Sequence, residues 1–379
     1  MSAQDPDQPH VPDPPDPRTL IQSQDLVRES LQRSVPDASG QDPDAPAVPG
    51  YVLRELIGEG AYGQVWRAWQ LRTRKEVAVK VFTQTSGLDW IFLQREVERL
   101  TRLDRHPHIV TLLDANLTGD PPFYAMDLIE GGSLQQFVNP DHTASKKRVV
   151  RWMEQLCEAM QYVHAKGLLH CDLKPANILI DGQDNVRVCD FGQSRVFTDT
   201  GTSFGTLFYM APEQATLATE DRAVHPDVRW DIYALGATLH AVLAGHAPRA
   251  TAQNIAKLDA ASTLDERLET YRRLCRTDPP WTPVGNSGNN ADPRRHQPEP
   301  TRKNSGDPAA RVDRELAAVV GMCLATVPVD RYKTMAGVLR DVAAIKQCRP
   351  VSPLAGSVVY RAKKHVQRNP VRLGLAVAL

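Results

Sequence analysis

Two β-prone runs are joined by a segment with three glycines, Gly58, Gly60 and Gly63. Glycine carries no side chain, so this glycine-rich segment (residues 58–63) can fold closely over the phosphates of a nucleotide. In a dinucleotide-binding fold such a segment leads from a strand into a helix. Here Val65 to Trp69 continues with a strand pattern instead. The sequence therefore predicts a hairpin that covers a nucleotide and disfavours a dinucleotide-binding fold.

Strand and helix patterns occupy different parts of the chain. Three β-prone runs predict an antiparallel sheet, at 51–57, 64–69 and 76–82. Apolar residues at helical spacing then predict one helix with the face Leu93, Val97, Leu100 and Leu103. Beyond residue 131 helical periodicity dominates, apart from short strands at 178–180 and 186–188. The pattern predicts an α+β protein, with a small sheet and one helix over 51–130 and a larger, mainly helical part over 131–348.

Three segments lack the pattern of a packed core. Residues 1–50 contain ten prolines and eight aspartates, which predicts a disordered tail. Residues 278–313 are polar with scattered prolines, which predicts a long surface insertion. Residues 349–379 are basic, contain no acid and end in a short apolar stretch, as is typical of the cytoplasmic flank of a membrane segment. We expect neither a complete membrane span nor an export signal in the chain.

Charge and cysteine content argue against two classes of function. Lys and Arg total 45 and Asp and Glu total 45, so the chain lacks the basic excess of nucleic-acid-binding proteins. No nucleic-acid partner is expected. The six cysteines include no CxxC pair, which disfavours a zinc ribbon and predicts reduced thiols in a cytoplasmic protein.

An ion pair is predicted beside the glycine-rich segment. In Val77-Ala-Val-Lys80 the side chains alternate between two faces of a strand, so Ala78 and Lys80 point the same way. Glu96 shares the apolar face of the predicted helix. A carboxylate that points inward needs a cationic partner, and we expect Lys80 to provide it.

Three further motifs follow in order along the chain. They are His170-Cys-Asp172-Leu-Lys174-Pro-Ala-Asn177, Asp190-Phe-Gly192 and Ala211-Pro-Glu213. With the glycine-rich segment and Lys80, the five ordered motifs resemble the eukaryotic-like, bacterial-type serine/threonine protein kinases over about residues 51–345. The resemblance implies a two-lobed protein kinase fold, with an N-lobe at 51–130 and a C-lobe at 131–348. It also implies transfer of the γ-phosphoryl group of ATP to Ser and Thr hydroxyls of protein substrates.

The resemblance implies the following roles in phosphoryl transfer. The glycine-rich segment would cover the phosphates of ATP, and Lys80, held by Glu96, would bind the α and β phosphates. Asp172 would accept or orient the proton of the substrate hydroxyl, and Lys174 would neutralise charge on the transferred group. The implied Mg²⁺ ligands are Asn177 and Asp190.

The same resemblance implies an adenine slot and two structural contacts. The slot residues are Ile57, Val65 and Ala78 above, Leu179 below, Met126 at the back, and Asp127 and Ile129 in the hinge. Asp231 would brace the catalytic loop, and Arg331 would pair with Glu213.

The serine/threonine branch is favoured by two motifs. Lys174 lies two residues after Asp172, and the segment Gly205 to Glu213 resembles that branch, in which Thr206 would contact Asp172 and Lys174. The potential phosphoacceptors between the motifs are Thr198, Thr200, Thr202 and Ser203. We predict autophosphorylation there in trans, through a transient homodimer. Cys171 replaces the arginine that commonly pairs with a phosphorylated activation loop, so a strict requirement for this phosphorylation is not expected.

Three other functions compete with this interpretation. A small-molecule phosphotransferase of the aminoglycoside type shares part of the core but lacks the Ala-Pro-Glu segment. A pseudokinase scaffold usually loses Lys80, Asp172 or Asp190, and all three are present. An interaction protein that only recruits partners would need a dedicated module, and the sequence offers only the tail and the insertion.

The basic C-terminal stretch also resembles the region before the single span of bacterial membrane-anchored Ser/Thr kinases. Arg361, Lys363, Lys364, Arg368 and Arg372 precede the apolar end 373–379. We expect this stretch to contact anionic lipid at the cytoplasmic face of the plasma membrane, and the chain to end just inside a span.

Overall fold

The computed structural model describes residues 42–60, 63–82, 87–139, 144–191, 207–216, 226–278 and 313–368. The strands are β1 (Tyr51–Gly60), β2 (Gly63–Gln70), β3 (Lys75–Val81), β4 (Leu112–Asn116), β5 (Phe123–Asp127), β6 (Ile178–Ile180) and β7 (Val186–Val188). The helices within these ranges are α1 (Gly87–Thr101), α2 (Lys146–Ala165), α3 (Val228–Ala244), α4 (Ala252–Asp259), α5 (Leu264–Thr277), α6 (Arg314–Cys323), α7 (Met335–Lys346) and α8 (Val358–Arg368). Most of the predicted tail and insertion lie outside the described residues, as does the apolar C-terminal end.

The first part of the chain forms a five-stranded antiparallel sheet in the order β1-β2-β3-β5-β4, with α1 between β3 and β4. The three predicted strands and the helix are confirmed. Strands β4 and β5 are not predicted, because each has only five residues and the exposed edge strand β4 shows no alternation. The sheet is therefore larger than sequence patterns indicate.

One glycine of the β1–β2 hairpin lies directly against the backbone of β3. Gly60 pairs with Gly63 at the turn end of the hairpin. A Cβ atom on Gly63 would lie 2.1 Å from the carbonyl oxygen of Val81, so only glycine fits there. Close backbone approach, rather than a nucleotide, explains this third glycine.

The helical part packs around α2 and α3. Ser145 caps α2 by accepting a hydrogen bond from the N–H of Arg148, and the predicted apolar seam is buried at Val149, Met153, Leu156, Met160 and Val163. Helix α3 is buried over nearly its whole length and is capped after Ala244 by Gly245, which has the left-handed conformation. The largest apolar cluster also takes in Leu93 and Val97 of α1, so both parts of the molecule share this core. The α+β class and the division into a sheet part and a helical part are confirmed.

The chain continues to pack after residue 348. The Val351 side chain is fully buried, and Tyr360 of α8 is 8% exposed. The Tyr360 hydroxyl donates to Glu315 Oε1 at 2.9 Å, and Lys364 forms an ion pair with the same carboxylate. The first turns of the segment assigned to a basic tail therefore belong to the packed domain. None of the helices in the described ranges combines the length and apolar character needed to cross a bilayer.

Candidate active site

Lys80 stands at the centre of a buried charge cluster. Its Nζ lies 3.0 Å and 3.2 Å from the two carboxylate oxygens of Glu96 on α1, and 3.2 Å from Asp190 Oδ1 after β7. Glu96 is 6% exposed, which agrees with the predicted inward orientation. The structure thus brings together residues from the sheet, from α1 and from the end of the β6–β7 hairpin.

The charge state of this cluster follows from its partners. Burial by itself lowers the pKa of Lys80, but the charges of Asp190 and Glu96 raise that pKa well above its usual value. The Lys80 ammonium in turn holds the pKa of the Asp190 carboxyl below its ordinary value, against the effect of burial. Lys80 is therefore a fixed cation and Asp190 a fixed anion at neutral pH.

Tyr124 supports the cluster and is missed by sequence reasoning. Its hydroxyl donates to Glu96 Oε1 at 2.7 Å, and Lys80 Nζ lies 5.6 Å from the centroid of its ring. Tyr124 faces Lys80 because the two are cross-strand partners in the β3–β5 pairing. No sequence signal reveals this contact without the strand register.

The catalytic loop holds Asp172 through two neighbours. Lys174 Nζ donates to Asp172 Oδ2 at 2.8 Å, and Asn177 Nδ2 donates to the same oxygen at 3.0 Å and to the Asp172 carbonyl at 2.9 Å. Asp172 Oδ1 accepts no hydrogen bond from the described residues. Among the described residues, one carboxylate oxygen is thus fixed by the loop and the other has no donor.

Asp231 of α3 supports the backbone of this loop, as expected. It is fully buried and accepts hydrogen bonds from the backbone N–H groups of His170 at 3.0 Å and Cys171 at 2.8 Å. His164 Nε2 also lies 2.8 Å from Asp231 Oδ2. Burial favours the protonated acid, but His164 and these N–H groups outweigh it and lower the pKa of Asp231.

Two residues of the site have left-handed backbone conformations that non-glycine residues rarely adopt. Cys171 has φ 66° and Asp190 has φ 59°. Such conformations persist where surrounding bonds impose them, and they cluster at functional sites. Burial, together with the Asp231 charge, raises the pKa of the Cys171 thiol, so this cysteine stays protonated and unreactive at neutral pH.

The described residues fit a magnesium ion at one edge of the cluster. Asp190 has one carboxylate oxygen committed to Lys80, and Asn177 commits its amide nitrogen to Asp172. Each keeps a side-chain oxygen, the ligand atom that Mg²⁺ prefers. The described residues contain no group of three or more His, Cys, Asp or Glu suited to a metal. Such a small ligand set is typical of Mg²⁺ that is held partly by substrate phosphates.

The proposed adenine slot lies beside Lys80 in the sheet. Ala78 pairs with Met126 across the β3–β5 strands, and Val65 pairs with Lys80 across β2–β3. Leu179 on β6 is half-buried, whereas Ile57 on β1 is 45% exposed. Nothing in the described chain lies within 4 Å of a Cβ placed on Gly60, and only Val65 approaches one on Gly58. These two glycines are therefore not required by the packing, which leaves room for a nucleotide.

The two predicted hinge positions differ in whether their backbone N–H has an acceptor among the described residues. The Asp127 N–H donates to the carbonyl oxygen of Thr111 at 3.1 Å, so this N–H is not available to a ligand. The Ile129 N–H donates to no other described residue. As far as the described part of the chain shows, the Ile129 N–H is therefore the hinge donor that a ligand could use.

Two contacts hold the ends of the activation segment, the stretch between the motifs Asp190-Phe-Gly192 and Ala211-Pro-Glu213. Arg99 of α1 donates to the carbonyl oxygen of Phe191 at 2.9 Å, a contact that sequence reasoning misses. The predicted pair of Glu213 and Arg331 is confirmed, with both guanidinium Nη atoms on the two carboxylate oxygens at 2.6 Å and 2.8 Å. Residues 192–206, which lie between these two contacts along the chain, are outside the described ranges. These include Gly192, Gly205, Thr206, Thr198, Thr200, Thr202 and Ser203.

Comparison with known proteins agrees with this geometry. A profile of the protein kinase domain matches residues 51–341. The chain is 29% identical over 328 residues to the serine/threonine-protein kinase PknB of Mycobacterium tuberculosis, covering 83% of this chain and 45% of that protein. It is 33% identical over 208 residues to the serine/threonine-protein kinase PrkC of Bacillus subtilis, covering 52% of this chain and 31% of that protein.

A protein of Arabidopsis thaliana is also similar to this chain. The chain is 29% identical over 251 residues to CBL-interacting serine/threonine-protein kinase 16 of Arabidopsis thaliana, covering 61% of this chain and 50% of the relative. The chain thus spans half or less of the length of these curated relatives. Because the kinase domain profile matches well over half of the chain and the site contains the family's ordered motifs, the chain belongs to the protein kinase domain family.

Proposed function

We propose that this chain is an ATP-dependent serine/threonine protein kinase. The observation that carries the proposal is the fixed Asp172 carboxylate, with Oδ2 held by Lys174 and Asn177 and with no donor to Oδ1 among the described residues. Such a group can accept or orient the proton of an attacking hydroxyl. The choice of Ser and Thr is supported by the names of the bacterial relatives and by Lys174.

Each residue of the site has a task that its geometry suits. Lys80, held by Glu96, would neutralise the α and β phosphates of ATP, while the glycine-rich segment would cover them. Asn177 and Asp190 would hold Mg²⁺, which neutralises charge on the phosphates when bound. The substrate oxygen bonds to the γ-phosphorus as the bond from that phosphorus to the leaving oxygen breaks. ADP departs, Lys174 stabilises the transferred group and Asp172 receives the hydroxyl proton.

The proposal is tested by incubating the purified chain with Mg²⁺ and γ-labelled ATP. We expect label on Ser and Thr of the chain or of an added protein, and loss of label in Asp172→Asn and Lys80→Met. Lys75→Met removes an exposed lysine of the same strand and should keep the label. Tight nucleotide binding without any labelling would instead favour a scaffold.

Trans-autophosphorylation of the activation segment belongs to this proposal. Phosphosite mapping should find label among Thr198, Thr200, Thr202 and Ser203. If a transient homodimer carries the reaction, the initial rate per molecule rises with protein concentration. A rate per molecule that does not depend on concentration would contradict transfer in trans, and loss of all activity in the fourfold Ala variant would show that these residues are required.

We also propose that the basic C-terminal stretch contacts anionic membranes. Support comes from α8, which carries Arg361, Lys363 and Arg368 and whose first two residues, Val358 and Val359, are 68% and 80% exposed. The chain should sediment with vesicles that contain phosphatidylserine but not with pure phosphatidylcholine vesicles. Equal sedimentation with both, or with neither, would refute the contact.

A further inference from the structure

A cavity of about 600 Å³ lies on the helical part, away from the candidate active site. It is bounded by the first turns of α2, the turn between β6 and β7 and the end of α7. Its apolar floor includes Val150 and Ile345, each 6% exposed. None of the residues assigned to ATP, Mg²⁺ or substrate lines it.

The rim of this cavity has an excess of positive charge. Its cations are Lys146, Lys147, Arg148, Arg151 and Lys346, and its carboxylates are Glu154 and Asp184. Lys346 pairs with Glu154, and Lys146 pairs with Asp313 beside the rim, so the excess rests on Lys147, Arg148 and Arg151. Asp184 accepts from Arg148 Nε at 2.8 Å and from Arg148 Nη2 at 2.6 Å, and it also pairs with Arg151. One carboxylate therefore compensates two guanidinium groups only in part.

Two rim cations keep unused donors. Lys147 forms no ion pair with any described residue, and the buried Arg151 Nε has no acceptor within the part of the chain that the structure describes. A buried donor without an acceptor costs stability unless a ligand satisfies it. The rim is thus able to bind further anionic oxygens.

The positive charges in the first turn of α2 are also electrostatically unfavourable for that helix. Lys146, Lys147 and Arg148 occupy the first turn of α2, and that turn contains no acid. The positive end of the helix macrodipole lies there and favours anions over cations. Asp313 pairs with Lys146 and Asp184 pairs with Arg148, whereas Lys147 has no such partner among the described residues. An anionic ligand beside Lys147 would therefore be favoured both by this charge and by the helix end.

The N-terminal tail has the complementary charge and spacing. Residues 1–17 contain four aspartates and no Lys or Arg. Asp7, Asp13 and Asp16 are separated by multiples of three residues, in a stretch rich in proline. A polyproline II helix has three residues per turn, so in that conformation the three carboxylates would lie along one side.

The tail, when extended, is long enough to span a domain of this size. From Pro17 to Asp42, the first described residue, are 25 residues. A flexible chain of that length spans about 25–30 Å on average and about 80–90 Å when fully extended. A domain of this size is about 50 Å across. Tethering also raises the local concentration of the tail at the cavity.

We propose that the aspartate-proline segment Asp7–Asp16 of this chain docks in cis into the cationic cavity. The aspartate carboxylates pair with the rim cations, and the proline rings pack against the apolar floor. The contact is independent of phosphoryl transfer and is expected equally in the Asp172→Asn chain.

Zero-length carbodiimide cross-linking of the full chain tests this docking, because it joins carboxylates only to lysine amines in contact with them. We expect cross-links from Asp7, Asp13 or Asp16 to Lys146, Lys147 or Lys346, identified by mass spectrometry. Mixing ¹⁵N-labelled and unlabelled chains separates links within one chain from links between chains. A free peptide of residues 5–17 should lower the yield by competition. Raising the salt to about 1 M should remove the links, since the screening length falls to about 3 Å.

Matched variants separate docking from general charge attraction. Exchanging Asp13 and Pro14 (Asp13→Pro with Pro14→Asp) keeps composition and charge but breaks the three-residue spacing, and it should lower the yield at least twofold. Lys147→Gln should lower the yield of the remaining cross-links at Lys146 and Lys346, whereas Lys75→Gln should leave that yield unchanged. Each variant must keep the wild-type melting temperature.

Three results would overturn the proposal. They are the absence of tail cross-links, links spread over exposed lysines such as Lys75 as readily as over the rim, and links only between isotopically different chains. The last would show that the tail binds a second copy instead.

Discussion

Removing the Arg331 side chain should destabilise the domain strongly. The Arg331 side chain has no exposed surface, and its two Nη atoms bind the Glu213 carboxylate. Its Nε also donates to the Ala325 carbonyl at 2.7 Å, and its guanidinium carbon lies 4.8 Å from the centroid of the Tyr233 ring. Arg331→Met leaves the Glu213 charge buried without its partner, since that side chain is 18% exposed.

The size of the effect follows from the buried pair. Breaking such a pair by removing one partner costs about 3–5 kcal/mol of unfolding free energy. For a domain of this size about 1 kcal/mol lowers the melting temperature by about 2 °C, so Arg331→Met should lower it by about 6–10 °C. The exposed Arg340 provides the matched control, and Arg340→Met should stay within about 0.5 kcal/mol of wild type.

Urea and thermal unfolding of both variants measure the difference. Adding Glu213→Gln to Arg331→Met should recover about 1 kcal/mol or more, because the uncompensated charge is then gone. An Arg331→Met chain within 1 kcal/mol of Arg340→Met would refute the reasoning. So would an absence of recovery in the double variant, since the cost would then come from lost packing.

Three further outcomes are expected. Tyr124→Phe removes a hydroxyl from the Glu96 carboxylate, a charged hydrogen bond of about 1.5–3 kcal/mol, so kcat/KM for ATP should fall about 10- to 100-fold in a labelling assay; an unchanged value would show that Glu96 needs no donor besides Lys80. Gly63→Ala would place a Cβ 2.1 Å from a carbonyl oxygen, so it should melt well below Gly60→Ala, which has open space, and equal melting temperatures would contradict this. The folded-state pKa of Asp231 lies below its ordinary 3.8, so its stabilising effect is present above that pH and is lost as pH falls from about 3.8 through the lowered value. As the pH is lowered below 3.8, the unfolding free energy of Asp231→Asn should therefore fall less steeply than that of the wild type. Identical slopes would refute the lowered pKa.

Local patterns predicted the elements and contacts that depend on neighbouring residues. The seam of α2 and the inward face of α1 follow from the 3.6-residue period, and Glu96 was placed correctly for that reason. The short strands β6 and β7 were visible as apolar runs on either side of a turn. By contrast, β4 and β5 were not predicted, because pairing with neighbouring strands, rather than the pattern of their own residues, stabilises them.

The order of the motifs, the family they resemble and the apolar face of each helix can be read from the amino-acid sequence, because these are properties of residues a few positions apart. The assembly of the site depends instead on contacts between distant parts of the chain. Lys80 and Asp190 are 110 positions apart, and His164 reaches Asp231 across 67. Tyr124 meets Glu96 through strand register, and Tyr360 extends the packed domain through a contact with Glu315 on α6. Such contacts depend on how strands pair and helices cross, and no local pattern along the chain encodes that geometry.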